Sequence, residues 1–264
     1  MLSIVRVSVL GHPEGVTSNL SANGGPAPVR RLGETTLVLR EDAGLGEHLD
    51  PVRLEAAAAN SLAAVLRVPT GLWEPPRQAR PAGCLGFLVL EGLVARRVTV
   101  AGATWTELLG PGDVLEPGRH DRDLNASIPP SVEFALLSEG RLAVLGPRFL
   151  GRMAAWPEVT VALSTRVVDR AKSLSYVLAV CGRVGVAERI VLVLRHLADR
   201  WGHVTRDGVV VDLPGVTHEL IASMIGAARP SVSTALGELR RRGEIHRPAP
   251  GTWLLCPQGA AVAA

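Results

Sequence analysis

Val216-Thr-His-Glu-Leu-Ile-Ala-Ser-Met-Ile-Gly-Ala-Ala-Arg-Pro-Ser-Val-Ser-Thr-Ala-Leu-Gly-Glu-Leu-Arg-Arg-Arg-Gly243 is the stretch on which the rest of the chain depends. It reads as two short helices separated by a sharp turn. Thr217 suits an N-cap, and Glu219 falls in the first turn, where the helix dipole favours a carboxylate. Leu220, Ile221, Met224 and Ile225 recur at helical spacing and make one apolar face. Gly226 is free to take positive φ and to end the helix, and the four-residue step from Ala222 to Gly226 predicts a close helix crossing there. Pro230 sits where a first-turn proline belongs. Val232, Ala235, Leu236 and Leu239 then form a second buried stripe, closed by Gly243. This is the spacing of a helix-turn-helix, the arrangement that lays its second helix in the major groove of double-stranded DNA.

A generic helical hairpin would satisfy the same spacing, but three neighbouring features argue beyond it. Arg229, Ser231, Ser233 and Thr234 occupy the polar side of the second helix, and Arg240-Arg241-Arg242 ends it. After Gly243, Glu244-Ile245-His246 and Thr252-Trp253-Leu254-Leu255 flank the turn Pro248-Ala249-Pro250-Gly251, which predicts a two-stranded wing. From 229 to 247, five arginines face only Glu238 and Glu244, a local excess of +3 that suits a phosphate-facing surface.

Outward from this stretch, 264 residues leave room for about two domains, and 47% hydrophobic composition lets each bury a core. Lys172 is the only lysine among the 28 basic residues, a bias that a GC-rich genome explains as well as function does. Cys84, Cys181 and Cys256 are scattered, with no C-x-x-C pair, so neither a disulfide framework nor a metal or iron–sulfur ligand set is expected. The first residues lack the pattern of a secretion signal, and no run of about 18 apolar residues predicts a membrane span. The expectation is a cytoplasmic protein. His48, His120 and His203 are isolated, and no Ser/His/Asp, Cys/His or phosphate-loop spacing lies near them, so no enzyme is expected.

Residues 1–32 are rich in Gly, Pro, Ser and Asn and read as a flexible tail, with a short strand or nothing at 2–10. Residues 50–67 favour helix, with Asp50 as cap and Pro51 in the first position. From 83 to 145 short apolar runs alternate with turns: strands at 86–92, 93–100, 105–109, 132–137 and 141–145 predict an antiparallel sandwich or barrel. Residues 157–181 read as one long helix, on which Val167, Ala171, Leu174, Leu178 and Cys181 step by 4, 3, 4, 3. Such a stripe could pack on its own domain. Its narrowness, and its place between a β domain and a DNA-binding unit, favour a homodimer seam. A helix at 186–200, with Ile190, Val191, Leu194 and Leu197 inward, and a strand at 209–213 complete the pattern.

With these parts in order, residues 83–256 resemble the Crp/Fnr-type (cyclic-AMP-receptor-type) transcription regulators. The resemblance rests on Gly86-Phe-Leu-Val-Leu-Glu-Gly92 with Leu108-Leu-Gly-Pro-Gly-Asp113, and more specifically on Gly226-Ala-Ala-Arg-Pro-Ser-Val-Ser-Thr-Ala-Leu-Gly-Glu-Leu239. It implies an α+β architecture: a jelly-roll sensor-like domain over 33–150, a dimerisation helix over 151–184, a winged helix-turn-helix over 185–257 and a short tail over 258–264. It implies double-stranded DNA, a second copy of the chain and RNA polymerase as partners, with no membrane. By position, Arg229 matches an arginine that reads a guanine edge, Ser231 a phosphate-contacting hydroxyl, and Thr217 and His218 residues near the DNA backbone. Ser233, Thr234 and Arg240 join them on the same face. Pro230 and Thr234 depart from the family's base-reading glutamate and second arginine, so the operator is expected to differ from the familiar one. The alternative is a small-molecule-binding or interaction protein whose DNA binding is non-selective.

The sensor departs further. Family members that bind cyclic nucleotides have Phe-Gly-Glu after the Pro-Gly-Asp turn and a phosphate-pairing arginine downstream. Here the chain reads Asp113-Val-Leu-Glu-Pro-Gly-Arg-His-Asp-Arg122, and Ile128-Pro-Pro-Ser-Val132 has no arginine. Glu116, Arg119, Arg122 and Ser175 are the candidate effector residues. Binding of a cyclic nucleotide is disfavoured, because the charge-paired phosphate site is missing.

Overall fold

A computed structural model describes residues 30–76, 83–116 and 127–256. Among the described residues the sensor part holds nine strands: β1 (Arg30–Leu37), β2 (Leu62–Val68), β3 (Gly71–Trp73), β4 (Gly86–Glu91), β5 (Val94–Val100), β6 (Ala103–Leu109), β7 (Val114–Leu115), β8 (Ser131–Leu136) and β9 (Gly140–Leu145). They pair antiparallel in two sheets, β1-β2-β9-β4-β7 and β3-β8-β5-β6. The period-2 alternation of strand side chains divides their apolar residues between cores. Phe87, Val89 and Leu142 of the first sheet meet Trp73, Val94, Leu109, Phe134 and Leu136 of the second, with Trp73 edge-on to Phe87 and Phe134 at 5.8 and 6.0 Å. On the opposite face of the first sheet, Leu88, Ala143 and Leu145 lie under α1 (Val38–Glu41), α2 (Pro51–Asn60) and α3 (Pro147–Met153).

The residues between 50 and 67 correct one expectation. The helix capped by Asp50, whose carboxylate accepts from the N–H groups of Val52 and Arg53, stops at Asn60. Leu62–Val68 is then a strand between β1 and β9. Ser61 makes the switch: its buried hydroxyl donates to the Ala58 carbonyl and accepts from the Leu39 N–H. Alanine-rich propensity favours helix here, but a central position in the sheet, with ladders on both sides, outweighs it. Strand β1 likewise begins at Arg30, inside the stretch expected to be a flexible tail. The strand expected at 2–10 lies outside the described residues.

Helix α4 (Pro157–Cys181) runs from one core to another. Its Val159 and Leu163 belong to the helix-covered sensor core, and its Val177 and Val180 to the core of the C-terminal domain. That domain comprises α5 (Val186–Trp201), β10 (His203–Thr205), β11 (Gly208–Asp212), α6 (His218–Ile225), α7 (Arg229–Arg241), β12 (Ile245–Ala249) and β13 (Thr252–Leu255), with sheet order β10-β11-β13-β12. Ala95 and Leu108, on the outer face of the second sensor sheet, join the same apolar cluster as Ile190, Leu220 and Trp253. The C-terminal domain is thus docked on the second sheet. The Trp105 indole N–H donates to the Met224 carbonyl at 2.9 Å, and the Thr106 and Ser223 hydroxyls are 2.7 Å apart.

Candidate nucleic-acid interface

The turn between α6 and α7 is built by local chemistry. The Thr217 hydroxyl accepts from the Leu220 N–H at 3.2 Å and caps α6. Leu220, Ile221, Met224 and Ile225 are buried. Gly226 adopts φ 61°, ψ 46°, the left-handed conformation that L side chains avoid. A Cβ added there would meet nothing within 4 Å, and the residue is exposed, so backbone conformation selects glycine at this point. The close crossing expected from the Ala222–Gly226 step is not where Gly226 lies. Arg189 of α5 also holds the end of α6, its guanidinium donating to the carbonyls of Ile225 and Gly226 at 3.0 and 3.3 Å.

Helix α7 follows with Pro230 in its first turn and Val232, Ala235, Leu236 and Leu239 buried. The same winding leaves Arg229, Ser231, Ser233, Thr234 and Arg240 exposed around the side of the helix turned from that core. It is α6 that packs on strand β6 of the sensor sheet, and this polar side of α7 is open to water. Two of its hydroxyls already have partners: Thr234 donates to the Pro230 carbonyl at 3.1 Å, and Ser233 lies 3.0 Å from His218 Nδ1. Partial burial, with Arg247 and Arg229 nearby, holds His218 below the ordinary histidine range. Arg247, on β12, stacks over the fully buried Trp253 at 4.6 Å. Its place beside His218 emerges only from the folded wing; a basic residue in the strand before the Pro-Ala-Pro-Gly turn is the sole sequence signal for it. Arg242 is drawn instead toward Glu238 and Glu244, at 4.0 and 3.9 Å.

Along α4, Val167, Ala171 and Leu178 are exposed, Leu178 to 74%, and Leu174 is half-buried. Val161 and Val168 add to the apolar exposure, at 61% and 53%. Cys181 departs from this line, for its thiol turns toward the Met224 carbonyl at 3.6 Å and the C-terminal core. Of the effector candidates, Glu116 and Ser175 are among the described residues. Glu116 lies at the end of β7 beside Gly86, and Ser175 is exposed with its hydroxyl donating to the Ala171 carbonyl at 3.0 Å. Arg119 and Arg122 fall outside the described residues. Among the described residues no cluster of three His, Cys, Asp or Glu could hold a metal ion, and no helix is long and apolar enough to cross a membrane.

The domain family described as Crp-like helix-turn-helix matches residues 188–256. No curated protein matches the chain in sequence. Among solved structures, the chain is similar to a cyclic nucleotide-binding domain containing protein from Listeria monocytogenes EGD-e, at 18% identity over 80% of this chain and 94% of that one, with a TM-score of 0.56. It is similar to a CooA variant from Carboxydothermus hydrogenoformans, at 19% identity over 85% and 93% of the two chains, TM-score 0.55. FixK2 from Bradyrhizobium japonicum is likewise similar, at 17% identity over 76% and 99%, TM-score 0.55. At such identities the likeness is one of fold. Residues 188–256 therefore carry a Crp-like helix-turn-helix domain, and the antiparallel two-sheet domain, the 25-residue helix and that domain together share the fold of these structures.

Proposed function

We propose that the chain is a homodimeric, sequence-specific DNA-binding transcription regulator that recognises an inverted-repeat operator. The observation that carries this reading is the outward polar edge of α7, with Arg229 at its start and Ser231, Ser233, Thr234 and Arg240 behind it. A helix entering the major groove presents its N-terminal residues to base edges, and its positive dipole end favours nearby phosphates. Arg229 is the guanine reader in this reading, with Thr217, His218, Ser231 and Arg240 on the backbone. The apolar line Val167–Ala171–Leu174–Leu178, exposed at all but the half-buried Leu174, supports pairing through α4, because side chains of this size gain by leaving water. A dimer places two recognition helices about 34 Å apart, one turn of duplex. An effector would act by shifting the population of dimers with that spacing.

Selection of bound sequences from a random duplex pool tests the reading. An inverted repeat with half-sites about ten base pairs apart is the expected product. Arg229→Ala should cost about 1–3 kcal/mol on the selected site and relax the preference at one base pair per half-site. Enrichment of no sequence, or selectivity unchanged in Arg229→Ala, overturns it.

A further inference from the structure

A cavity of about 550 Å³ opens where the sensor, α4 and α5 meet, and no residue of α7 lines it. Its size is that of an ordinary small-molecule site. Arg166, Arg170, Ser173 and Tyr176 line it from one face of α4; His196, Arg200 and Trp201 line it from α5; the turn Pro111–Asp113 closes it from the sensor.

Charge comes first. Four cations, Arg166, Arg170, Lys172 and Arg200, line the cavity against two carboxylates, Asp113 and Asp169. Arg170 is committed to the buried Glu107 through two 2.7 Å bonds, and Arg200 to the buried Asp113. Arg166 has slack. Its Nη2 makes one long bond, 3.3 Å, to Asp42, and its Nη1 stands 3.1 Å from where a side chain on Gly112 would begin. Among the described residues Lys172 meets Asp169 alone, at 2.8 Å, an exposed pair of the kind worth little. Lys172 can therefore turn to an anion without breaking a buried pair, and Arg166 can offer its Nη1 while its Nη2 stays on Asp42.

The second observation is aromatic. Tyr176 stacks on His196 with centroids 4.7 Å apart and planes at 26°, a flat platform on one wall, and Trp201, covered by Arg200 at 4.4 Å, borders the other. The third is a buried acceptor without a donor. Asp42 Oδ2 has no hydrogen-bond partner among the described residues, and it lies 3.9 Å from the same Gly112 Cβ position as Arg166. Buried polar atoms of this kind are normally satisfied, here by a water that the open side of the cavity admits.

We propose that this joint binds a small aromatic anion: one planar ring carrying a carboxylate or phosphate, the anion held by Arg166 and Lys172 and the ring laid against Tyr176. The walls belong to three different parts of the chain. A guest therefore ties the first helix of the C-terminal domain to the sensor, and its binding is coupled to that of DNA by the same factor in both directions. The coupling rests on the DNA-binding reading; the site itself does not.

Isothermal titration of the full chain with phenyl phosphate, benzoate, inorganic phosphate and phenol tests the site. One aromatic anion is expected to bind once per chain, about ten-fold or more tighter than inorganic phosphate or phenol, and the phenyl phosphate and benzoate arms identify the anion. Arg166→Gln should weaken it about ten-fold. Tyr176→Leu, at an exposed ring that folding can spare, should weaken it about five-fold. Arg183→Gln, an exposed arginine paired with Glu188 outside the cavity, should leave it unchanged. The site is overturned if neither aromatic anion exceeds inorganic phosphate, or if binding survives both Arg166→Gln and Tyr176→Leu. Affinity for selected DNA should shift about three-fold or more with the aromatic anion at saturation. An unshifted affinity overturns the coupling, and the titration then judges the site independently.

Discussion

Replacing Arg200 with methionine should expose how the two domains are held together. The Arg200 guanidinium reaches from α5 to both oxygens of Asp113, in the turn between β6 and β7, and the Gly110 N–H donates to the same carboxylate at 2.8 Å. The Asp113 side chain is 8% exposed and that of Arg200 22%. Arg200→Met leaves a buried carboxylate with one backbone donor. Removing one partner of a buried pair costs about 3–5 kcal/mol, and partial access of water on the arginine side puts this case near the lower figure. Asp113→Asn keeps an acceptor for both Gly110 and Arg200 and leaves the unpaired charge on the arginine side, which water reaches, so it should cost about 1–2 kcal/mol. The double variant should cost less than the sum by about 1–2 kcal/mol, since the second change removes the charge stranded by the first.

The same argument fixes a pH dependence. Burial pushes the Asp113 carboxyl above the ordinary carboxylate range, and Arg200 is the strongest influence holding it back. Without Arg200 the shift grows. A carboxyl whose folded pKa exceeds its unfolded one stabilises below the unfolded value, and that contribution is lost as pH rises through the folded value. The penalty of Arg200→Met should therefore be small near pH 4 and grow toward about pH 7. In the Asp113→Asn background the same change should be flat with pH. Urea unfolding at fixed chain concentration, at several pH values, measures all four proteins. Additive penalties, or an Arg200→Met penalty independent of pH, would refute the reasoning.

Three further outcomes follow from the DNA-binding half and the long helix. Gly226→Ala should cost about 1–2 kcal/mol in thermal unfolding, all of it backbone conformation because the site is open; a larger loss would mean a clash there. Leu178→Glu sets like charges facing across the proposed seam, and sedimentation should find single chains with much weakened operator binding; a persistent dimer would move the interface off α4. A phosphate approaching His218 raises the imidazole pKa from its depressed value, so binding takes up a proton. Affinity measured by anisotropy at constant ionic strength should rise between about pH 7.5 and pH 6, and His218→Gln should flatten the slope.

The helix-turn-helix was legible because its determinants are local. Thr217, the Leu220–Ile225 face, Gly226, Pro230 and the Val232–Leu239 stripe act within four residues of one another, and period and capping carry that information along the chain. Five sensor strands between 86 and 145 were legible for the same reason, as short runs between turns, while the two-residue strand Val114–Leu115 is too short to carry a period. Leu62–Val68 was not: propensity there favours helix, and only the neighbouring β1 and β9 make it a strand. Nor does sequence show that α6 lies on the second sensor sheet through Trp105 and Thr106, or that Cys181 turns inward while Leu178 stays in water. Those outcomes depend on which distant surfaces meet. The cavity is the extreme case, because its residues from 111–113, 166–176 and 196–201 share no period and no motif. Local hydrogen-bonding and periodicity determine the elements; the burial of one element's face by another, which is non-local, decides the sites between them.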